Sequence, residues 1–360
     1  MVIYKMSENA YEKLREFLNQ FPIGYRKTTS RIEIKILKRL FTEEEAELTT
    51  FLTIRPERAR AIARRAGQNL DEVEQKLEEM AKKGLIFRTH RDNQTLYNAA
   101  PFMIGLYEYS VKKIDKELAQ LYSQYYHEAG LEEIGASNVP GFKVIPLEET
   151  IQTDTTLYPY QMLQESIKKA RVIAVTECIC RKEAKLLGKG CNHPMETCLS
   201  FGAAAEFYIE NGMGRKISSE EAIKIIKEAD ESGLVHAGAN SKHLSNICNC
   251  CPCCCVSMKG MTQFGQNKQK FMNALFESII DQELCVVCGT CVERCPVKAI
   301  SVEDVAVVDR NLCLGCGLCA SVCPEEAISL KIREDLNEPF ERVLEMGAAI
   351  LEGKRKNTST

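Results

Sequence analysis

Along the first third of the chain apolar positions recur with helical spacing, and near residue 85 the spacing changes to alternation. Glu33 to Phe41 and Thr42 to Leu52 predict two amphipathic helices, Pro56 to Ala66 a third with proline near its first turn, and Leu70 to Lys83 a fourth with Val73, Leu77 and Met80 on one face. Gly84 ends it, and LIFRTHRDNQTLYNA then predicts strand, polar turn at Asp92-Asn93 and strand. Residues 31–100 therefore predict a winged helix-turn-helix. Ile104 to His127 predicts one long helix carrying Tyr107, Tyr109, Tyr122, Tyr125 and Tyr126. Residues 130–159 hold Gly130, Gly135, Pro140, Gly141, Pro146 and Pro159 with little periodicity, which predicts a linker draped over the next domain.

Further on, helix and strand signals alternate. Tyr160 to Ala170 predicts a helix, RVIAVTE (Arg171 to Glu177) a buried strand, Glu196 to Asn211 a helix and LVHAGA (Leu234 to Ala239) another strand. Ser218-x-x-Glu221 is a capping box ahead of the stripe Ala222, Ile223, Ile225 and Ile226. Glu338 to Leu351 predicts a helix and Gly353 to Thr360 a frayed basic tail. The fold class expected is multidomain α+β. Its parts are a winged-helix-like domain with a long helix at 1–129, a linker at 130–159 and a cysteine-rich α/β domain at 160–275. A small α+β domain at 276–335 and a helix with tail at 336–360 complete it.

A chain of 360 residues, 45% of them hydrophobic, is long enough for two or three domains with real cores. Its formal charge of −3 gives no overall basic footprint. The polar start MVIYKMSENAYEK and the lack of any apolar run near the roughly 18 residues of a membrane span predict a cytoplasmic protein. Eighteen cysteines in a reducing compartment point to metal rather than to disulfides, and thiolate clusters so easily oxidised predict an anaerobic owner. All of them lie between Cys178 and Cys323.

Cys285, Cys288, Cys291 and Cys295-Pro296 form C-x2-C-x2-C-x3-C-P, and Cys313, Cys316, Cys319 and Cys323-Pro324 repeat it. Two-residue gaps let one tight loop wrap three thiolates around three corners of a [4Fe–4S] cube, with Gly289, Gly315 and Gly317 suited to the turns. With Ala299-Ile300 and Ala327-Ile328 after each Cys-Pro, residues 280–332 resemble the bacterial-type two-[4Fe–4S] ferredoxin family over its whole motif. The resemblance implies a pseudo-twofold α+β fold, two [4Fe–4S] clusters and low-potential one-electron transfer. It also implies crossed ligation, with one cluster on Cys285, Cys288, Cys291 and Cys323 and the other on Cys313, Cys316, Cys319 and Cys295.

Ten cysteines remain: Cys178, Cys180, Cys191, Cys198, Cys248, Cys250, Cys251, Cys253, Cys254 and Cys255. Cys178-x-Cys180 ends the RVIAVTE strand and Cys248-x-Cys250 follows a short apolar step, so with a period of two each pair can face one side and four thiolates can converge. A competing partition takes Cys248, Cys251 and Cys254 as C-x2-C-x2-C. Both point to one or two further iron–sulfur clusters in the middle domain, closed by the run Cys248 to Cys255 with Cys178, Cys180 and Cys191. His193 is a further candidate ligand, and Cys198 sits within the expected helix.

No phosphate-binding loop or dinucleotide fingerprint is present, and no C-x3-C-x2-C run supports radical chemistry. Between Leu70 and Lys83, where a winged helix would read DNA, five acids (Asp71, Glu72, Glu74, Glu78, Glu79) face three lysines (Lys76, Lys82, Lys83). Phosphate repulsion there disfavours DNA, although Arg55, Arg58, Arg60, Arg64, Arg65, Arg88 and Arg91 lie nearby. The reading is an electron-transfer protein whose ferredoxin-like domain serves the central site and whose amino-terminal third docks a redox protein partner or a second copy of the chain. The alternatives are an iron–sulfur oxidoreductase reducing a disulfide or small acceptor at the central site, and a redox-sensing DNA-binding regulator.

Overall fold

The structure is a computed structural model that describes residues 3–152, 155–265 and 267–358. The chain forms two compact units, and neither is a contiguous stretch. The first comprises residues 1–133, 179–190 and 203–216, and the second residues 134–178, 191–202 and 217–360. The first stretch of the first unit runs to Glu133, four residues past the expected boundary at 129. Two later segments return to the first unit, which sequence periodicity has no means of signalling.

In the first unit helices span Ile32–Leu40, Glu43–Thr49, Ala59–Ala66 and Leu70–Lys82, preceded by Ile3–Leu18. Thr42 and Glu45 complete a reciprocal capping box, and Asn69 caps the fourth helix of the amino-terminal series through the amides of Asp71 and Glu72. Strands Ile86–Arg91 and Gln94–Ala99 pair antiparallel about Asp92 and Asn93, both in the left-handed region that a tight hairpin turn requires. The single long helix expected over 104–127 is broken. Asp115 caps a new helix, Lys116–Tyr125, by accepting from the amide of Leu118, and the turn before it lets Tyr107 stack edge-on against Tyr122 and Tyr126, at 5.0 and 5.2 Å between ring centroids. The returning helices Ile179–Leu186 and Ala203–Glu210 supply Glu183, which accepts from the Tyr107 hydroxyl at 2.5 Å, and Phe207, which packs on Phe87 and Tyr109.

Six of the seven strands of the chain's largest sheet lie in the second unit, in the order Ile173–Glu177, Glu196–Phe201, Asn246–Cys250, Val235–Ala239, Phe142–Val144, Met272–Ala274. Neighbours are antiparallel except the last pair. Two expectations are corrected here. Residues 196–211 are not one helix, because alternation in Glu196–Phe201 makes a strand and Gly202, at φ 57°, turns the chain before the helix begins at Ala203. Residues 130–159 are not only a linker, because Phe142–Val144 is an interior strand whose partners lie far away in the sequence. The expected helix over 160–170 is confined to Leu163–Lys168 after a short 3-10 turn at Pro159–Gln161.

One face of this sheet carries the core. Ile173, Val175, Leu199, Phe201 and Ile247 pack with Ile167 and with Ala222 and Ile226 of the helix Ser219–Glu231, whose first amides Ser218 caps at Glu221. From the sheet the chain passes into the carboxy-terminal domain, where Phe276–Ile280 pairs with Ile328–Ile332 and Ile300–Val302 with Ala306–Val308. Residues 353–358 of the expected frayed tail are helical, within Val343–Thr358, held where Ile350 is buried and the Asn357 amide donates to the Ala136 carbonyl at 2.9 Å, and the last two positions of that tail lie outside the described residues. Among the described residues no helix is long and apolar enough to cross a membrane.

Lys143, on the interior strand, is 1% exposed, and its ammonium donates to the carbonyls of Ser241 (2.7 Å) and Tyr160 (3.2 Å). Burial lowers its pKa to about 8, whereas an unfolded lysine titrates near ~10.4. Between those values the unfolded chain binds more protons, so folding becomes more favourable as pH rises through this window. In anaerobic denaturant titrations, the stability of the wild type relative to Lys143→Met should shift in favour of the wild type between about pH 8 and about pH 10. A difference that stays constant with pH would contradict this placement.

Candidate metal centres

In the carboxy-terminal domain Cys285, Cys288, Cys291 and Cys323 line one pocket with Gly289, Pro324 and Ile328. Cys295 stands instead among Cys313, Cys316 and Cys319, close enough for their charges to act on one another. The structure thus brings together each set of four that the crossed arrangement calls for. Backbone and hydroxyl donors point at the sulfurs: the Ala299 amide at Cys295 (3.1 Å), the Gly315 amide at Cys313 (3.4 Å), Ser278 beside Cys319 (3.2 Å) and Thr290 beside Cys288 (3.4 Å). Such donors stabilise thiolate, so both pockets fit a [4Fe–4S] cluster by number, convergence and polarity. The Thr290 contacts hold Cys288 below the usual thiol range, while burial pushes Cys319 up to about 12. Burial raises the Cys319 thiol because it penalises the free anion, a penalty that ligation by a cation removes.

The middle cysteines follow from strand alternation. Ile247 and Asn249 face the core, so Cys248 and Cys250 face the other way, and the pairing of Leu199 with Ile247 sets Cys198 opposite Cys248. Cys178, just past its strand and held by its amide to the Met195 carbonyl (2.8 Å), joins Cys198. Cys255 joins Cys250 from the start of the helix Val256–Thr262. The result is a row in which neighbours are in sulfur–sulfur contact: Cys178, Cys198, Cys248, Cys250, Cys255. Contacts from Cys198 and Cys250 push the central Cys248 down to about 5.

A second group holds Cys191, Cys251, Cys253 and Cys254 with His193 beside them. Neither partition offered by spacing alone describes the two groups, because the chain turns after Cys250 and sends the next three cysteines elsewhere. Cys180, expected on a strand face with Cys178, lies in the first unit on the helix Ile179–Leu186, near Tyr107 and Tyr126. Cys198 and Cys255 stand in the row where that expectation placed it.

Behind the row, on the core face, Asn249 bridges two strands: Oδ1 meets His236 Nδ1 and Nδ2 donates to the Thr197 carbonyl, each at 2.5 Å. Burial lowers the pKa of His236, whose Nε2 lies 3.9 Å from Asp230. This buried brace fixes the strand that carries Cys248 and Cys250, and alternation around Asn249 was its only trace in the sequence. In front of the second group lies an open cleft of about 940 Å³, with Pro252 and Cys253 on one wall and Pro296, Lys298 and Leu312 of the carboxy-terminal domain on the other.

A family model described as the 4Fe-4S dicluster domain matches residues 278–330. No curated protein and no solved structure matches the chain. The carboxy-terminal segment is accordingly of iron–sulfur dicluster type, and with the cysteine groups it gives the chain a redox character.

Two glycines of this segment separate the demands of backbone angle and of space. A Cβ on Gly315 (φ 61°) would lie 2.0 Å from the Phe276 carbonyl oxygen, whereas one on Gly289 (φ 78°) meets nothing within 4 Å. Gly289→Ala should keep full iron content and cost about 1–2 kcal/mol of stability. Gly315→Ala should lose about four irons per chain. Equal iron in both variants would contradict the packing at Gly315.

Proposed function

We propose that this chain is an iron–sulfur electron-transfer protein that carries single electrons between a redox protein partner and a centre on the cysteine face of the middle sheet. The observation that carries the reading is that the dicluster domain is bonded to elements that pack around the sheet presenting the central thiols. Arg294, between Cys291 and Cys295, donates to the carbonyls of Asp230 and of Glu231 (2.9 Å) at the end of the core helix. Lys268, just beyond the central cysteine run, donates to the carbonyls of Cys313 and of Arg310 (3.0 Å). The Gln152 amide donates to Leu330 at 3.0 Å, and Gly317 packs on Thr150.

Held by the two crossed cysteine sets, [4Fe–4S] clusters would supply one-electron chemistry at low potential. The chain's own contribution is position and access. Cys288 is exposed, and Leu284, Val286 and Val287 around it are 50, 61 and 40% exposed, which suits brief docking of a partner. Cys313 and Cys319 are buried against Ser278 and beside Lys268, on the side from which the chain runs to the central run.

For the first unit we adopt the winged-helix reading and a protein-docking or dimerising role. The helix Leu70–Lys82 exposes Asp71, Glu72, Glu74 and Glu79, which oppose phosphate. Four of the basic residues around it are engaged in ion pairs: Arg65 with Glu57, Lys76 with Glu44, Lys83 with Glu45, and Arg88 with Glu78 and Glu210. A second reading, an oxidoreductase acting at the central site, is favoured by one observation: the open cleft gives a small acceptor access to the exposed Cys253.

Under the electron-transfer reading, Cys316→Ala should slow reduction of the central centre by reduced viologen at least about tenfold, equivalent to ~1.4 kcal/mol of barrier. Stopped-flow absorbance follows the rate, and metal analysis should show the middle-domain metal unchanged. An unaltered rate with the dicluster incomplete would sink the relay.

A further inference from the structure

The two central groups differ in shape, and shape decides what each can hold. In the row from Cys178 to Cys255 the sulfur contacts run from one cysteine to the next along the sheet face, an extended arrangement of five thiols. Cys191, Cys251, Cys253 and Cys254 instead form a compact cluster. Cys191 Sγ lies 3.9 Å from Cys251 Sγ and 3.5 Å from Cys254 Sγ. Cys251 is also in contact with Cys253 and Cys254, and Cys253 with Cys191. Four sulfurs make six pairs, and these are five of them. Sulfurs of Cys191, Cys251 and Cys253 and a ring nitrogen of His193 all lie within 4.8 Å of one another.

Four thiolates around one ion, at a metal–sulfur distance of about 2.3 Å, stand about 3.8 Å apart at the corners of a tetrahedron. A [4Fe–4S] cube gives each thiolate its own iron and drives the sulfurs apart to roughly 6 Å. The carboxy-terminal domain provides the internal reference. Among the described residues, its sulfurs interact through charge across their pockets, and their hydrogen bonds run to Ser278, Thr290 and backbone amides rather than to one another. One chain therefore displays both spacings, and the second central group has the tighter one.

We propose that Cys191, Cys251, Cys253 and Cys254 bind a single tetrahedral metal ion, Zn²⁺ or Fe²⁺, as a mononuclear tetrathiolate site distinct from the iron–sulfur centres. The local sequence suits it. Cys251-x2-Cys254 has the knuckle spacing of such sites, and the Cys255 amide bonds back to the Cys251 carbonyl at 3.1 Å to close the turn. Cys191 comes from a loop flanked by Gly190 and Pro194, so the ion clasps that loop to the end of the Asn246–Cys250 strand. The His193 ring nitrogen, within 4.8 Å of the Cys191, Cys251 and Cys253 sulfurs, is near enough to take the fourth position in place of Cys254. The site does not depend on the electron-transfer reading.

The test uses the full chain isolated anaerobically, with zinc, iron and acid-labile sulfide counted per chain and X-ray absorption recorded at both metal edges. The expected result is one zinc whose absorption edge shows an all-sulfur shell at about 2.3 Å without metal–metal scattering, or else one iron in excess of acid-labile sulfide. The double substitution Cys191→Ser with Cys254→Ser should remove that one atom and leave the remaining iron and sulfide in place. Loss of about four irons with equal sulfide, or no loss of metal at all, would overturn the proposal. If the variant does not fold, the zinc edge and the iron-to-sulfide ratio of the wild type decide, and the absence of both one zinc in an all-sulfur shell and one iron in excess of sulfide overturns the proposal. Absence of the dicluster iron would instead count against the electron-transfer reading and leave this one standing.

Discussion

Alternation along the strand Asn246–Cys250 is the constraint on which the middle of the molecule depends. Ile247 joins Leu199, Val175 and Ile226 in the core, and Cys248 and Cys250 are thereby forced to the opposite face, where Cys198 waits on the neighbouring strand. A one-residue slip would send the thiols into the hydrophobic side and Ile247 out of it, which a buried face forbids. Asn249 adds a second lock, since its two hydrogen bonds to His236 and Thr197 are met in this register. The thiol face is thus set by the packing of the other face and is formed by folding itself.

The same rigidity extends to the dicluster domain. Arg294 and Lys268 each spend their charge on backbone carbonyls across the join, and burial lowers the Lys268 pKa to about 8. Gly315 and Gly317 admit Phe276 and Thr150 at distances no other residue allows. Electron transfer is steeply sensitive to separation, and a domain fastened in this way holds its cysteine sets at a fixed distance from the central face. A flexible tether would not.

What could be read from the sequence was what is local. The eight carboxy-terminal cysteines fall in two tight-loop runs that spacing reveals, with their crossed grouping supplied by the family resemblance, and a run such as Ile173–Glu177 declares its strand through β-branched residues. The amino-terminal helices and hairpin were legible for the same reason, with caps at Thr42 and Asn69 and a turn at Asp92-Asn93. The central groups were not legible, because Cys191 and Cys251 meet across many intervening residues and the interleaved run Cys248–Cys255 supports more than one partition. Cys198 was hidden by the strong helix signal of Ala203–Glu210, which masked a strand only six residues long. Phe142–Val144 was missed because three residues among prolines carry no period. Their place comes from partners contributed by distant sequence.

The most direct test of metal-bearing centres beyond the dicluster domain is site-resolved alkylation of the anaerobic native protein, read by peptide mass spectrometry. Protection is expected at Cys178, Cys198, Cys248, Cys250 and Cys255 and at Cys191, Cys251, Cys253 and Cys254, alongside the eight carboxy-terminal cysteines. It should be lost when metal is stripped by chelator and oxidant. Labelling of the central cysteines in the native protein as fast as in the denatured chain, with the carboxy-terminal eight still protected, would contradict it.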